Sequence, residues 1–267
     1  MKTGTDARTQ AKTAGDETQR LNAKLQFRLT ERTAQLEALK QELESFSYSV
    51  SHDLRAPLRH ILGYVDILQT GVGEKLDETS RRHLQTIAQS ATQMGMMIDA
   101  LLELSRAGRA EMHARRISLA ALVEDARRDL RDETNGREID WQIGDLPEVH
   151  GDPVMLRRAI VNLLSNAMKY TRNRLKAKIE IGAKNDGRET IFFVRDNGVG
   201  FDMNCTEMLF GAFQRFHRPD EIEGLGIGLA IVRRIIHQHG GWTWAEGKVS
   251  GGATFYFSIP NPPEEST

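Results

Sequence analysis

The feature that most restricts how this chain can fold is a heptad pattern of apolar residues in its N-terminal part. One seam position is occupied by Leu29, Leu36, Leu43 and Val50, and the other by Leu25, Arg32, Leu39 and Phe46. Charged residues fill most of the positions between them. A seam of this period predicts a coiled coil, in which Arg32 is the one polar interruption.

A second apolar stripe of helical spacing follows after a short break. The first helix is predicted to end near Gly71 and the second to open near Asp77. The second stripe consists of Leu84, Ile87, Ala91, Met94, Ile98 and Leu101. Two helices joined by a short turn form a hairpin, which cannot bury both stripes by itself. We therefore predict a homodimer, in which two hairpins pack into a four-helix bundle.

The pattern changes in the second half of the chain. Short strands and helices now occur in runs, and Asn185-Asp186-Gly187 is a good hairpin turn between two alternating strands. These runs predict an α+β sandwich with a mostly antiparallel sheet. The predicted divisions are a frayed polar leader (1–24), a coiled coil (25–45), a helical-hairpin dimerisation domain (46–110), an α/β-sandwich domain (111–261) and a tail (262–267).

Composition excludes several classes of function. Charged residues make up 27% of the chain and the net charge is −1, so no overall field favours nucleic acid or an anionic membrane. The single Cys205 excludes a disulfide framework and fits a reducing compartment. No apolar run approaches the roughly 20 residues that cross a bilayer, and the N-terminus lacks a signal-peptide core. We expect a soluble, cytoplasmic protein with no direct membrane span.

A histidine next to a carboxylate lies within the first helical pattern. His52 is followed by Asp53, and Pro57 lies about one turn further on. A neutral imidazole is a competent nucleophile near pH 7, and a neighbouring carboxylate can orient the ring or take its proton. Taken alone, the pair is also typical of a solvated helix surface.

Three segments of the second half share one chemistry. In the first, Asn162 and Asn166 are spaced so that both amides project from one helix face, close to Lys169. Amide oxygens and a lysine at one helix end could hold a hydrated Mg²⁺ and a polyphosphate. The alternative is that both asparagines are merely solvated.

The other two segments are rich in glycine. Asp196-Asn197-Gly198-Val199-Gly200 follows a strand, so its glycines permit close backbone approach and Asp196 can accept from an exocyclic amine. The turn from Gly224 to Leu229 enters a helix, whose N-terminal N–H groups could cradle phosphate. An ordinary hairpin turn and an ordinary glycine turn are the respective alternatives.

In order and spacing, these motifs resemble the catalytic core of bacterial sensor histidine kinases over about residues 40 to 260. The motifs, under the names used in that family, are an H box at His52–Arg55, an N box at Asn162–Thr171, a G1 box at Asp196–Gly200, an F box at Phe210–Arg215, a G2 box at Gly224–Leu229 and a closing strand at Gly252–Phe255. The sequence around His52 is most similar to phytochrome-type and PAS-linked members.

The resemblance implies ATP and Mg²⁺ as cofactors and an ATP domain of the type shared with gyrase, Hsp90 and MutL. It implies that His52 is the phosphoacceptor, with Asp53 as its general base, and that the phosphoryl group passes to a receiver aspartate on a separate response regulator. Asn166 would ligate Mg²⁺, and Arg215 would face the γ-phosphate.

Further ATP-contacting positions follow from the same resemblance. They are Asn162, Lys169, Tyr170, Asp196, Gly198, Gly200, Phe213, Gly224, Gly226, Gly228, Leu229 and Thr254. Residues 201–223 would form a mobile lid anchored by Phe210 and Phe213. Transfer would require a domain rearrangement about residues 105–114.

One position departs from the family pattern. Members that also dephosphorylate their partner tend to carry Thr or Asn where this chain has Ala56, so weak phosphatase activity is predicted. No sensory or receiver domain is recognisable, and we expect input from a separate upstream sensor or from missing sequence. Two alternatives keep the ATP domain: a dimeric ATP-binding scaffold or ATPase, and a serine protein kinase of the kind that acts on anti-sigma partners.

Overall fold

The computed structural model describes residues 3–106, 112–134, 136–214 and 224–262. The N-terminal half consists of two helices, α1 (Thr3–Val72) and α2 (Glu78–Arg106), joined through the short 3₁₀ turn Gly73–Lys75. By its internal contacts the chain divides into two units, at the boundary between Asp53 and Leu54.

The first unit is the N-terminal part of α1. Its heptad residues are exposed, with Leu29, Leu36 and Leu43 each about two-thirds accessible. Helix α1 begins at Thr3, so the predicted frayed leader is helical in the structure. The leader contains alanine, arginine, glutamine and lysine and has no proline, and such residues have good helix propensity without any apolar period.

The second unit begins with the helical hairpin. Leu58 of α1 packs against Ala91 and Ile98 of α2, and these three form a small buried cluster. A short ion pair joins the Arg55 guanidinium to the Asp99 carboxylate at 2.6 Å. Helix α1 continues through Pro57 and ends at Val72, which confirms the predicted break at the glycines.

The remaining elements form an α+β domain, as predicted. Its helices are α3 (Leu119–Asp129), α4 (Pro153–Tyr170) and α5 (Gly228–Gln238). Its strands are β1 (Arg115–Ser118), β2 (Ile139–Ile143), β3 (Glu148–Gly151), β4 (Ala177–Asn185), β5 (Glu189–Asp196), β6 (Thr243–Lys248) and β7 (Gly252–Pro260). Short 3₁₀ turns occupy Asp132–Thr134 and Met203–Met208.

The main sheet has five strands in the order β2-β4-β5-β7-β6. Strands β2 and β4 are parallel and the other neighbours are antiparallel. Strands β1 and β3 form a separate antiparallel pair. One face of the main sheet packs on the helices, and its core includes the fully buried Phe192, Phe257, Leu156 and Ile160.

The start of α4 is fixed by Asp152. Its side chain accepts hydrogen bonds from the N–H groups of Val154 and Met155, and Pro153 occupies the first helical position, as the sequence predicts. It also accepts from the N–H of His113 at 2.9 Å. Burial raises the pKa of this carboxyl, but the three backbone donors outweigh burial and lower the pKa below its ordinary value.

Helix α5 begins at Gly228 rather than near Leu225, where the sequence pattern placed it. The reason is local, because Gly226 has a φ of +69° and a left-handed residue cannot continue a right-handed helix. Within the described residues, no helix combines the length and apolar character needed to cross a bilayer.

Candidate active site

A cavity of about 380 Å³ lies between α4, the start of α5 and the ends of β5 and β7. It gathers most of the residues that the sequence assigned to ATP binding. Those that line it are Asn162, Asn166, Lys169, Tyr170, Asp196, Gly200, Gly224, Gly226, Gly228 and Leu229. Three motifs far apart in sequence therefore meet in one cavity.

Helix α4 presents two faces, as its periodicity predicts. Leu163, Leu164 and Ala167 are buried in the core, while Asn162 and Asn166 line the cavity. The Asn162 amide donates to the Arg158 carbonyl at 3.0 Å. Its oxygen lies against the start of α5, where a Cβ at Gly228 would come within 2.9 Å of it.

Asp196 is the buried acid of the cavity, with only 3% of its surface exposed. Its Oδ1 accepts from the N–H of Gly198 at 2.8 Å. Among the described residues its buried Oδ2 has no hydrogen-bond partner, although the Ala253 N–H lies near enough to lower the carboxyl pKa. Burial raises the pKa of the carboxyl to about 6, against the opposing effects of Gly198, Ala253 and Arg174. An unpaired buried acceptor at the cavity favours a ligand that brings a donor.

The loop after Asp196 packs too closely to carry side chains at its glycines. A Cβ at Gly198 would lie 2.5 Å from the Tyr170 carbonyl oxygen. Gly200 has a φ of +65°, and a Cβ there would collide with the Lys248 carbonyl oxygen. The two glycines thus let this loop approach α4 and the β6–β7 turn.

We predict that Gly200→Ala destabilises the protein by about 3 kcal/mol or more, because a positive φ and a backbone clash act together. Gly187→Ala is the matched control, since its φ of +88° is equally unfavourable but nothing lies within 4 Å of the added Cβ. The control should cost about 1–2 kcal/mol. Urea unfolding of both variants measures the difference, and equal losses would contradict the proposed steric cause.

The glycine turn delivers a helix N-terminus to the cavity. Gly226, Ile227, Gly228 and Leu229 all line it, and Ile227 caps α5 without a side-chain hydrogen bond. The first N–H groups of a helix have no intrahelical acceptor and carry a partial positive charge. An anionic ligand group can therefore bind at this end of α5.

Some predicted residues do not reach the cavity. Thr254 lies on the opposite face of β7 from the lining residues Ala253 and Phe255, and its hydroxyl accepts from Arg195 at 3.2 Å, so its assignment to ATP contact stays a prediction that the cavity lining does not support. Gly198 contributes its backbone bond to Asp196 rather than lining the cavity. Phe213 does not line the cavity, and 42% of its surface is exposed.

Part of the predicted lid lies outside the described residues. Arg215 belongs to that part, as does the rest of 215–223, and its role stays a prediction. The described lid residue Phe210 is buried in the core, in keeping with an anchor. The predicted rearrangement segment at 105–114 likewise includes 107–111, which are not described.

His52 lies on α1 with its imidazole well exposed. The side chains of His52 and Asp53 are 73% and 76% accessible, and Nδ1 lies 3.3 Å from Asp53 Oδ1. The carboxylate thus contacts the ring from one side, and Nε2 is left as the nitrogen that can attack an external group. The geometry suits a carboxylate that orients the imidazole.

The structure adds residues that sequence reasoning missed. Ala100 and Glu103 of α2 line the cavity together with Ser165, Gln214 and Phe201. Glu103 also forms an ion pair with Arg158 of α4. No sequence signal marks Ala100 or Glu103, because neither belongs to the apolar stripe of α2 and a contact with the α+β domain leaves no local pattern.

The fold and the cavity together define a nucleotide-binding α+β domain, preceded in the chain by a helical hairpin and an exposed histidine. Two family models match in this order. The His Kinase A (phospho-acceptor) domain matches residues 42–110, and the histidine kinase-, DNA gyrase B- and HSP90-like ATPase matches residues 151–263.

Individual proteins agree with the family models. The methanogenesis regulatory histidine kinase FilI of Methanothrix harundinacea is 38% identical over 235 residues, which are 88% of this chain and 26% of that protein. The phytochrome-like protein Cph1 of Synechocystis is 34% identical over 84% of this chain and 30% of its own length. The crystal structure of full-length ShkA in complex with AMPPNP is similar at a TM-score of 0.58 and 26% identity, over 80% of this chain and 45% of that one.

The chain therefore belongs to the histidine kinases. Its phosphoacceptor domain precedes its ATPase-type domain. It spans 26% to 31% of the length of the first four relatives.

Proposed function

We propose that this chain uses ATP to phosphorylate His52 and passes the phosphoryl group to an aspartate on a separate response regulator. The observation that carries the proposal is the exposed His52 imidazole beside Asp53, in a chain whose other domain holds a cavity suited to a nucleotide. Phosphoryl transfer needs an in-line nucleophile and stabilised charge, and little covalent help from the protein.

The cavity residues can be assigned to parts of ATP. The unpaired Oδ2 of Asp196 would accept from the adenine amine, with Tyr170 beside the base. Asn162, Lys169 and the N-terminus of α5 would contact the phosphates. The assignment places the base at the buried acceptor and the phosphates at the cationic and dipolar groups.

The donor set also fits Mg²⁺. The Asn166 amide at the cavity offers an oxygen, and Mg²⁺ is usually bound through few protein oxygens together with phosphates and water. When bound, the ion would neutralise charge on the transferred phosphoryl group. His52 would act as nucleophile and Asp53 as the base that takes the ring proton, while Arg215 facing the γ-phosphate stays a prediction.

A homodimer is the proposed working form. The seam leucines of α1 are exposed in the single chain, and so are Ile87, Met94 and Met97 of α2. Burying a fully exposed leucine stabilises by about 1.5–3 kcal/mol, so pairing along these stripes would supply a large driving force. Input from an upstream sensor would reach His52 along α1. Arg32 would keep the coiled-coil seam only marginally stable. Arg32→Leu should then change both the stability of the coiled coil and the autokinase activity.

Incubation of the purified chain with γ-labelled ATP and Mg²⁺ tests the proposal. We expect phosphate on the protein that is acid-labile and base-stable, as a phosphoimidazole would be. α-Labelled ATP is the control and should leave no label. Phosphate that survives acid would instead favour a serine kinase, and ATP hydrolysis without protein labelling would favour an ATPase or scaffold.

Phosphatase activity is predicted to be weak, because the methyl group of Ala56 cannot orient a water molecule. A phosphorylated receiver domain should lose its phosphate nearly as slowly with this protein and ADP present as it does alone. Ala56→Thr supplies a hydroxyl at the same position and should speed the loss. Rapid loss caused by the unaltered chain would contradict the prediction.

A further inference from the structure

A single arginine joins the loop that carries Asp196 to the β6–β7 turn. Nη2 of Arg174 donates to the Gly198 carbonyl at 2.8 Å and to the Ser250 carbonyl at 2.7 Å. Arg174 lies in the connection between α4 and β4, so it bridges three segments that are distant in sequence.

The bridged loop is also held by other hydrogen bonds, including three that join Asn197 to Lys176 and Lys178. The Val199 N–H donates to the Tyr170 carbonyl at 3.2 Å, and the Ser250 N–H donates to the Val199 carbonyl at 2.6 Å. Ser250 itself adopts a φ of +60°, which is unfavourable for a residue with a Cβ. A strained turn thus supports the loop, and Arg174 holds the turn and the loop together.

Asp196 is the last residue of β5, paired with Ile179 and Ala253, and the loop that follows helps to orient its carboxylate. Asp196 Oδ1 is held by the Gly198 N–H, and the Gly198 carbonyl is held by Arg174, so both sides of one residue are fixed. The positive charge of Arg174 also favours the ionised form of Asp196. Among the described residues, the other charged groups lining the cavity are Lys169 of α4 and Glu103 of α2.

We propose that Arg174 is a positioning residue for recognition of the nucleobase: by binding the carbonyls of Gly198 and Ser250, it places the Asp196 carboxylate for the adenine amine. This inference rests on the proposed use of ATP. Arg174 does not line the cavity and would not touch the nucleotide. Its loss should therefore weaken discrimination between bases more than it weakens binding of the triphosphate.

Comparison of ATP with inosine triphosphate tests the proposal, since the two differ at the base, where inosine has a carbonyl in place of the amine. In the full chain, Arg174→Met should reduce the preference for ATP about tenfold and change the inosine triphosphate affinity less than about twofold. Arg174→Lys keeps a cationic donor and should retain much of the preference. Lys176→Met is the matched control, because it removes an exposed cation from the same segment.

The pH dependence gives a second readout. Without the charge of Arg174, Asp196 should protonate at a higher pH, so the ATP preference of Arg174→Met should fall off at higher pH than in the unaltered chain. Arg174→Lys should lose the ATP preference at the same pH as the unaltered chain. This variant also tests the proposal if Arg174→Met does not fold. Equal losses for both nucleotides, or an unchanged preference, would overturn the role of Arg174. An unaltered chain with no preference for ATP would instead contradict the proposed function.

Discussion

Replacing His52 with alanine should reduce acid-labile phosphate on the protein to background while leaving ATP binding intact. The imidazole forms a phosphoramidate bond, which is acid-labile and base-stable, and no carboxylate or hydroxyl gives such a product. The loss should exceed the about 10²–10⁴-fold effect expected from removing a general base such as Asp53. Labelling with γ-labelled ATP, followed by acid and base treatment, measures it.

The matched control is His60→Ala. His60 is also exposed and lies further along the same helix, so its removal causes a comparable change to α1. It should leave labelling unchanged. Acid-labile phosphate that persists in His52→Ala, or is lost in His60→Ala, would place the phosphoacceptor elsewhere.

Replacing Asp196 with asparagine should have two opposite effects. It should weaken ATP binding about 10- to 150-fold, because a hydrogen bond to a charged group is worth about 1.5–3 kcal/mol. The Gly198 N–H would hold the amide oxygen where it now holds Oδ1, so the amide nitrogen would take the place of Oδ2. That nitrogen is a donor and would face the amine of adenine, which is also a donor. It could instead donate to the carbonyl of inosine, so the variant should favour inosine triphosphate.

The same substitution should stabilise the protein without nucleotide at pH 8. Burial raises the pKa of Asp196 from 3.8 to about 6, so the folded state binds the proton more tightly than the unfolded state. Folding stability due to this group therefore falls as pH rises from about 4 to about 6, and stays reduced above that range. Removing the charge should recover about 1–3 kcal/mol at pH 8 and almost nothing at pH 4.

Urea unfolding at both pH values, with and without ATP, separates the two effects. Asp145→Asn is the control, because Asp145 is exposed and its neutralisation should change neither stability nor binding. If Asp196→Asn were less stable at pH 8, the carboxylate would have a structural partner and its role as a free acceptor would be wrong.

Where the site depends on local periodicity, the sequence was sufficient. The spacing of Asn162 and Asn166 predicted one polar face on α4, and the buried Leu163 and Leu164 confirm the opposite face. Asp152 and Pro153 likewise marked the start of the helix correctly. In both cases the relevant interaction lies within about one helical turn, so the sequence pattern contains it.

Thr254 does not line the cavity although the resemblance assigns it to ATP contact, and the strand pattern itself indicates the opposite face. In β7 the apolar residues Phe255 and Phe257 alternate with Thr254 and Tyr256, and a strand places alternate residues on opposite faces. The assignment followed the resemblance to a family motif instead. The start of α5 was misplaced for a related reason, since the apolar pattern continues through Gly226 whereas the backbone does not.

Other parts of the site could not be predicted because their partners are backbone atoms or distant elements. Arg174 binds carbonyl oxygens of two loops, and a carbonyl oxygen is common to every residue. Glu103 reaches the cavity only because α2 contacts α5 and pairs with Arg158 of α4. Such contacts depend on how the domains pack, which no local period encodes.

Ala100 and Glu103 of the helical hairpin form part of the wall of the cavity. Movement of the α+β domain away from α2 would remove this part of the wall, so we expect such movement to ease nucleotide release. The fluorescence of a bound nucleotide analogue would then report whether the α+β domain contacts α2. The isolated α+β domain, without the hairpin, should release that nucleotide faster than the whole chain does.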